Sequence, residues 1–249
     1  MEILPVKIAH NIQSGERIQE TIINAIFKEN FGIENGDVLV IAQKIISKSE
    51  GRLVSLDTIT PSEKSIQIGN VTKKDPRLIE IILNESKKII RMSERILIVE
   101  TKHGFICANA GIDKSNVDDN EKKVLLLPKN PDRSANKIRL EIKKKTKKDV
   151  AVIISDTFGR PFRIGQVNVA IGISGINPIK SYIGTKDIFG KNLYVTEIAV
   201  ADELCSAAEL VMEKIAMVPV VIIRGYKYKK GNNKIHEIIR DSKRDLFRR

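Results

Sequence analysis

Residues 149–163 read Asp-Val-Ala-Val-Ile-Ile-Ser-Asp-Thr-Phe-Gly-Arg-Pro-Phe-Arg, an apolar run that ends abruptly in polar and charged side chains. The residues from Val150 to Ile154 predict a buried strand, because the run is rich in β-branched residues and too short for a helix. Asp156 and Thr157 follow it. Their carboxylate and hydroxyl oxygens are hard ligands that suit Mg²⁺ or Mn²⁺. The end of this strand is therefore a candidate metal site.

Two arginines, Arg160 and Arg163, follow within the same stretch. A guanidinium group is a planar donor that matches phosphate and carboxylate groups. Together with the oxygen ligands before them, the arginines predict a site where a metal ion and phosphate groups meet. The pattern is also typical of a strand that leaves the core through an Asx-turn, with both arginines merely solvated.

Two other segments also pair small residues with charges. Residues 105–117 change from apolar to small to polar, and Asp113 and Asn116 offer side-chain oxygens after the small residues. In residues 45–52, Lys48 can place a point charge against phosphate. Each segment is also typical of a turn or a helix cap. Three of them in one chain favour a single shared site.

Composition is that of an ordinary globular protein. The chain has 249 residues, of which 42% are hydrophobic and 30% charged, enough for one large domain or two small ones. No apolar stretch approaches the roughly 20 residues that cross a bilayer, and the first residues lack the pattern of a signal peptide. Cys107 and Cys205 give no disulfide framework. We therefore expect a cytoplasmic protein that does not associate with membranes.

The net charge of +12 suggests a nucleic-acid-binding protein. Much of the excess is local, in residues 143–148 and near the C-terminus, and such runs are most often solvated surfaces. No zinc finger, basic zipper or aromatic RNA-binding signature accompanies them. A basic enzyme that acts on polyanionic small molecules explains the charge equally well. We expect no nucleic-acid partner, and an RNA-binding protein stays the alternative from a different class.

The order of predicted elements indicates an α+β fold, mixed but without strict βαβ alternation. Strands are predicted at 38–42, 96–100, 105–108, 124–127, 150–154 and 218–224. Helices are predicted at 17–30, 77–91, 134–145, 199–214 and 235–247. Ser134 is the predicted N-cap of the third helix. No repeat, linker or domain boundary interrupts residues 1–249.

Familiar catalytic signatures are missing from the sequence. It contains neither a P-loop nor the glycine-rich turn of a Rossmann fold, and the glycines in residues 172–175 predict only a tight turn or close packing. The histidines His10, His103 and His236 are far apart, so a zinc site is not expected. Neither cysteine has a neighbouring histidine that would indicate a thiol nucleophile.

Several stretches together resemble the coenzyme F420-0:L-glutamate ligase family, which adds glutamate to the lactyl carboxylate of a deazaflavin cofactor precursor. The matching stretches are residues 37–52, 109–116, 125–128, 156–163, 170–176 with Gly184 and Asp187, and 218–225. They follow one another in order over nearly the whole chain.

The resemblance implies the fold, the substrates and the cofactors. It implies a ligase with the fold of this family, formed by residues 1–249 as one domain that can consist of two intertwined lobes, without a C-terminal oxidoreductase domain. The partners are GTP, L-glutamate, F420-0 and a second copy of the chain, with the site in the cleft of the homodimer. The cofactors are two divalent ions, Mg²⁺ or Mn²⁺, and a monovalent cation is a further expectation.

The resemblance also assigns residues. The implied metal ligands are Asp113, Asp156, Thr157 and Glu213. The implied nucleotide contacts are Ala9, His10, Asn11, Ile12, Gln43, Lys44, Lys48, Asn116, Val211, Met212, Glu213, Lys214, Ile215, Ala216, Met217 and Val218. Residues 211–218 depart from the family pattern, which often has glycines there, so Glu213 is either a ligand or a solvent-facing residue at a helix end.

The implied reaction agrees with the residue types. Phosphorylation of a carboxylate by GTP gives an acyl phosphate, which the α-amine of glutamate then attacks. Lys48 and Arg160 are the predicted catalytic residues, because they can neutralise phosphate and carboxylate charge. No protein nucleophile is needed, and no general base is evident. A ligase with the same scaffold and another acceptor is a further alternative.

Overall fold

The computed structural model describes residues 1–114 and 122–246, and Asn116 lies outside these residues. The fold is α+β, as predicted. Its helices are α1 Ile18–Lys28, α2 Gln43–Ser49, α3 Glu63–Thr72, α4 Pro76–Asn84, α5 Pro131–Thr146 and α6 Val200–Met212. Its strands are β1 Glu2–Val6, β2 Val38–Ala42, β3 Leu53–Ser55, β4 Ser86–Ser93, β5 Ile96–Thr101, β6 Ile106–Ala108, β7 Lys123–Leu125, β8 Ala151–Gly159, β9 Gln166–Ser174, β10 Lys180–Ser181, β11 Glu197–Ile198 and β12 Val220–Arg224.

The largest sheet has the strand order β1-β12-β2-β8-β9. Among the described strands of this sheet, only β2 and β8 pair in parallel, so their carboxyl ends point to the same edge of the sheet. Residues Ala151 to Ile154 of β8 are fully buried, as expected for a continuous β-branched run that is covered on both faces. Helices α5 and α6 both pack on this sheet.

A second hydrophobic cluster lies beside the sheet. It contains buried aliphatic residues from α3, α4, β5 and β7, with Ile79, Ile82 and Leu97 fully buried, and Val54 of β3 packs against it. The first cluster surrounds the large sheet. The described residues therefore form two apolar clusters. That the chain is one domain, with two lobes or without them, stays a prediction.

The predicted helix 77–91 is wrong in its second half. Asp75 caps α4 by accepting a hydrogen bond from the backbone N–H of Arg77, and Pro76 occupies the first turn. The helix ends at Asn84, and residues Ser86–Ser93 form β4, which pairs with β5. The helix was predicted from the spacing of apolar residues. That spacing does not show that residues 86–93 pair with the next strand, β5.

The predicted C-terminal helix 235–247 is also wrong. The chain forms two short 3₁₀ turns there, Ile235–Ile238 and Ser242–Arg244. The backbone N–H of Ile235 donates to the carboxylate of Asp132 at 3.2 Å, which ties the segment to the start of α5. This tertiary hydrogen bond fixes where the segment lies relative to α5.

Two boundaries near the candidate site differ from prediction. The N-cap of α5 is Asn130, whose side chain accepts a hydrogen bond from the backbone N–H of Arg133 at 2.9 Å, and Ser134 lies inside the helix. The strand predicted to end at Ile154 continues to Gly159, because it pairs with β9 in a long hairpin. Asp156 therefore lies within a strand.

Close packing around Gly172 is confirmed. A Cβ atom at this position would lie 2.4 Å from the Cβ atom of Pro131, so only glycine lets β9 approach the start of α5. The backbone N–H of the next residue, Ile173, donates to Asp132 at 2.8 Å. The contact therefore joins the β8–β9 hairpin to α5.

Candidate active site

A cleft of about 1100 Å³ opens where β2 and β8 end. Because the two strands are parallel, Ala42 at the end of β2 lies beside Ser155 in β8. Helix α2 begins immediately after β2 and adds its side chains to the cleft. Another wall is formed by residues 107–109 and 111–113. Clefts at the carboxyl ends of parallel strands are common ligand sites in α/β sheets.

Asp156 projects from the sheet wall of this cleft. A bulge between Ile154 and Ser155 shifts the register of β8 against β9 just before Asp156. The side chain is partly buried, and no cation among the described residues lies within ion-pair distance of it. Burial, together with the nearby charge of Asp113, raises the pKa of the Asp156 carboxyl to about 7. The metal-free site therefore favours the neutral, protonated form of Asp156.

Asp113 lies on the loop wall and is compensated. Its backbone N–H and carbonyl pair with Leu125, each at 2.9 Å, and its carboxylate lies 2.8 Å from the ammonium of Lys44. The preceding 3₁₀ turn places Asn109 at φ 52° and Ala110 at φ 57°. A non-glycine residue in this region is strained, and such strain is often found at ligand sites.

Among the described residues, four lysines line the cleft, namely Lys44, Lys48, Lys123 and Lys214. Besides Lys44, Lys48 donates to the side-chain oxygen of Asn11 at 2.7 Å, and Lys214 donates to the hydroxyl of Thr157 at 2.9 Å. Burial lowers the pKa of Lys48, and the charge of Lys44 lowers it further. Positive charge is thus concentrated in the cleft, as a site for phosphate groups requires.

Several buried polar atoms of cleft residues have no hydrogen-bond partner within the part of the chain that the structure describes. They are Gln43 Nε2, Asn109 Oδ1 and Ser155 Oγ. The other amide atom of Gln43 accepts a hydrogen bond from Ser47 at 2.7 Å. Most buried polar groups have a partner, and the exceptions often mark functional sites. The walls of this cleft are therefore polar and only partly satisfied.

Most of the predicted site residues lie together in this cleft. Its lining includes His10, Asn11, Ile12, Gln43, Lys44, Lys48, Asp113, Asp156, Thr157, Met212, Glu213, Lys214, Met217 and Val218. The predicted residues outside the lining are Ala9, Val211, Ile215, Ala216 and Arg160. The roles of all these residues stay predictions, and so does that of Asn116.

The two arginines do not reach the cleft. Arg160 and Arg163 are exposed in the turn between β8 and β9, and the guanidinium of Arg160 donates to the carbonyl of Ile164 at 3.3 Å. The lining ends at Gly159 on one strand and resumes at Gln166 on the other. In this arrangement the lysines, and not the arginines, supply the positive charge inside the site.

Glu213 ends α6 at the rim of the cleft. Its side chain is exposed, and its backbone has φ 48°. Met217 in the same loop has φ 54°. Positive φ values are the conformations that glycine adopts easily. The loop therefore has glycine-type backbone geometry at two positions although it contains no glycine.

Other cleft residues were not predicted. Glu209 lies one helical turn before Glu213 and is 3.5 Å from Lys214. Asn168 in β9 lies opposite Thr157 and accepts a hydrogen bond from its hydroxyl at 2.7 Å. The helical periodicity of α6 contained a signal for Glu209. Asn168 depends on the register of the hairpin, which the sequence does not reveal.

The donor set fits a hard divalent ion that is shared with phosphate. Asp113, Asp156 and Thr157 present carboxylate and hydroxyl oxygens to one cleft. The described residues contain no group of three or more His, Cys, Asp or Glu side chains that could hold a metal by themselves. Mg²⁺ typically binds one or two carboxylates together with waters and substrate phosphates. These residues fit that mode of binding.

Thiol chemistry is not favoured at this site. Cys107 lines the cleft and is buried, and burial together with the charge of Asp156 raises its pKa to about 12. A thiol with this pKa is almost entirely protonated at neutral pH, so it is a poor nucleophile. Cys205 is also free and buried.

Among the described residues, no helix has the length and apolar character needed to cross a membrane.

Comparison with known proteins assigns the family. The family model described as F420-0:Gamma-glutamyl ligase matches residues 7–225. The chain belongs to this family. It is 50% identical over 219 residues to a coenzyme F420:L-glutamate ligase of Methanocaldococcus jannaschii, covering 88% of this chain and 87% of that protein. The expectation of an amide-bond-forming ligase is thus confirmed at the level of the family.

Two further relatives extend the match. A coenzyme F420:L-glutamate ligase of Methanothermobacter thermautotrophicus is 45% identical over 240 residues, with 95% of this chain and 94% of that protein covered. One of Methanopyrus kandleri is 42% identical over 253 residues, with 100% and 98% covered. The similarity therefore includes the sheet, the cleft and the C-terminal segment.

Proposed function

We propose that this protein joins L-glutamate to F420-0 in a reaction driven by GTP and a divalent metal. The observation that carries the proposal is the meeting of Asp113, Asp156, Lys44, Lys48 and Lys214 in one cleft of a chain from this ligase family. Carboxylates suit a hard cation, and ammonium groups suit phosphates. GTP as the nucleotide follows from the family resemblance.

The proposed chemistry has two steps. A carboxylate oxygen of F420-0 attacks the γ-phosphorus of GTP, the bond to the β-phosphate oxygen breaks, and GDP leaves. The α-amine of glutamate then attacks the acyl carbon, an amide bond forms, inorganic phosphate leaves, and the ammonium proton passes to a base. Both steps bring anions together, so positive charge and alignment are the main requirements.

The side chains of the cleft supply these requirements. Lys48 lies in a partly buried position, and Lys44 and Lys214 lie beside the oxygen ligands. Their ammonium groups would neutralise the triphosphate and the acceptor carboxylate, which otherwise repel each other. A divalent metal held by Asp113, Asp156 and Thr157 would supply further neutralisation of phosphate oxygens. Arg160 would act from outside the lining, on parts of the acceptor that extend from the cleft.

We also propose that two copies of the chain associate. The segment between β10 and β11 exposes Ile188 at 93%, Phe189 at 82% and Val195 at 86%. Large apolar side chains in one exposed segment are typical of a protein–protein interface. Sedimentation of the wild-type protein should give a dimer, and replacement of Ile188 and Phe189 by Asp should give monomers. A wild-type monomer at micromolar concentration contradicts this part of the proposal.

The basic clusters give little support to the RNA-binding alternative. Arg139, Lys143 and Lys230 all surround the carboxylate of Asp149, at 2.8, 3.8 and 2.7 Å respectively. Part of the positive charge is therefore balanced within the chain. RNA binding would also depend steeply on salt and would not depend on Asp156.

Mass spectrometry of F420-0 incubated with pure protein, glutamate, GTP and Mn²⁺ tests the proposed function. The expected product carries one or more added glutamyl residues, and none forms when glutamate or GTP is omitted. Absence of any glutamylated product under these conditions contradicts the proposal. Glutamylation of a different carboxylic acid in its place supports a ligase of the same scaffold with another acceptor.

A further inference from the structure

Two lysines of the cleft bind oxygen atoms that the proposed function assigns to metal ions. The ammonium of Lys44 lies 2.8 Å from the carboxylate of Asp113. The ammonium of Lys214 donates to the hydroxyl of Thr157 at 2.9 Å and lies 3.5 Å from Glu209. Each lysine therefore occupies part of the space beside an oxygen ligand.

The two lysines approach from different elements. Lys44 is the second residue of α2, directly after the sheet strand β2, whereas Lys214 follows the end of α6. The positive charges of both lysines also favour the ionised form of Asp156, although burial raises the pKa of that carboxyl overall. The carboxylates and the hydroxyl of the predicted ligand set thus interact with protein cations from two sides.

A lysine ammonium can leave such a position easily. It is a compact charge on a flexible four-carbon stem, so it can exchange one anionic partner for another without movement of the backbone. A divalent ion bound to Asp113 and Thr157 requires both ammonium groups to withdraw. The lysines then need another anion, and the phosphates of a nucleotide in the same cleft supply it.

We propose that Lys44 and Lys214 are positioning residues that hold the metal-ligand oxygens in the metal-free protein and move to the phosphates when nucleotide binds. The inference rests on the proposed function of the cleft. It makes the binding of metal and the binding of nucleotide interdependent, and this coupling is the same in both directions by thermodynamic necessity. The metal alone binds weakly, because it must displace resident cations without replacing their anionic partners.

The charge distribution supports this interdependence. Burial and the nearby charge of Lys44 already lower the pKa of Lys48, so cations crowd one another before any metal is present. A divalent ion alone adds to this crowding. A nucleotide triphosphate adds several negative charges and relieves it.

Mn²⁺ binding to the nucleotide-free protein tests the proposal, with free Mn²⁺ measured by electron paramagnetic resonance. Lys44→Met should bind Mn²⁺ about tenfold more tightly than wild type, within the usual range of coupling between sites. Lys214→Met should show a smaller gain in the same direction, because a neutral hydroxyl attracts its ammonium less strongly than a carboxylate does. Melting curves confirm that each variant is folded.

Lys48→Met is the matched control. It removes the same charge from the same cleft, and its ammonium donates to the amide oxygen of Asn11, which is not one of the predicted metal ligands. Its affinity for Mn²⁺ should change by less than about threefold. Equal gains in all three variants would mean general electrostatics and would overturn the proposal, as would unchanged or weaker Mn²⁺ binding by folded Lys44→Met.

A non-hydrolysable GTP analogue completes the test. With the analogue present, wild type should gain more Mn²⁺ affinity than Lys44→Met, because wild type can transfer both Lys44 and Lys214 to the phosphates and the variant can transfer Lys214 alone. An equal gain in both proteins overturns the proposal. Failure of the proposed function is a separate outcome, since it appears as the absence of glutamylated product from the wild-type protein.

Discussion

Asp156 and Asp113 face one cleft from walls that are built differently. Asp156 is part of β8, with ladder pairs to β9 before and after it. Asp113 follows a turn with two non-glycine residues at positive φ, and its carboxylate is held by Lys44 at 2.8 Å. The sheet fixes the position of one carboxylate, whose charge has no ion-pair partner among the described residues and is only partly compensated by the more distant Lys44 and Lys214. The loop compensates the charge of the other through a flexible side chain.

This difference shows two ways in which a protein can prepare for a cation. At Asp156 the charge is unfavourable until a cation arrives, because burial raises its pKa to about 7. At Asp113 a resident cation must first move away. Removal of either negative charge should therefore lower activity to a similar extent. The same two changes should have different effects on the stability of the metal-free protein.

The largest expected effect is on turnover. Asp156→Asn and Asp113→Asn keep a side-chain oxygen but remove the charge that a hard cation requires. Each should lower product formation by about three orders of magnitude, and the double variant should be hardly worse, because residues that act as one unit are not additive. Product should be measured across a Mn²⁺ titration. Near-normal activity of Asp156→Asn at modest Mn²⁺ concentration contradicts a metal site on the sheet wall.

The second effect concerns the pH dependence of stability without metal. The unfolded Asp156 loses its proton near its ordinary value of 3.8, whereas the folded protein keeps it until about pH 7. Between these values the folded state binds more protons, so its stability falls as pH rises. At pH 8, Asp156→Asn should be more stable than wild type by about 1–2 kcal/mol, since partial solvent access reduces the full linkage value.

The check is chemical denaturation of metal-free wild type and Asp156→Asn from pH 4 to pH 8. The difference in the free energy of unfolding should vanish near pH 4 and grow as pH rises. A variant that is less stable than wild type at pH 8 favours a structural role for Asp156, as in an Asx-turn.

A smaller effect is expected on the loop wall. The ion pair of Lys44 with Asp113 is only partly buried, and such pairs contribute about 0.5–1 kcal/mol. A double-mutant cycle with Asp113→Asn and Lys44→Met should give a coupling energy of that size in the metal-free protein. No coupling would mean that Lys44 does not compensate Asp113 in solution, and the contrast between the walls would disappear.

The smallest effect is expected from exposed lysines of α5, which do not line the cleft. Replacement of Lys143, Lys144 and Lys145 by Gln should leave ligase activity nearly intact and change stability by about 0.5 kcal/mol, because exposed charges contribute little. Activity and melting point measure this directly. A large loss of activity, or loss of a tight RNA complex, would favour the RNA-binding alternative.

The buried strands could be predicted from sequence because their burial is continuous. β2 was predicted with its observed bounds, Val38–Ala42, and the positions of β8 and β12 were also found. In these runs nearly every residue is apolar and β-branched, so the local pattern and the final environment agree. β4 was missed because Ile90 extends the helical spacing of apolar residues in α4, whereas pairing with the neighbouring strand β5 decides its structure. The C-terminal 3₁₀ turns lie against residues far earlier in the chain, such as Asp132, which the local sequence does not show.

The residues of the candidate site, like the buried strands, could be predicted in part from the local sequence. Small residues next to Lys48, Asp113 and Asp156 indicated one shared site, and the cleft contains all three. Asn168 was missed because the register of the β8–β9 hairpin places it. Arg160 looked similar to the lysines in sequence, but the continuation of β8 to Gly159 carries it past the lining.

Phosphate release from GTP by the wild-type protein, measured with each substrate omitted in turn, decides whether the cleft is a ligase site. Release should require F420-0 and glutamate together, because the sequence has no P-loop of a stand-alone nucleotide hydrolase. Asp156→Asn should abolish it under the same conditions. Phosphate release that continues at the same rate without F420-0 would contradict a ligase that acts on this acceptor.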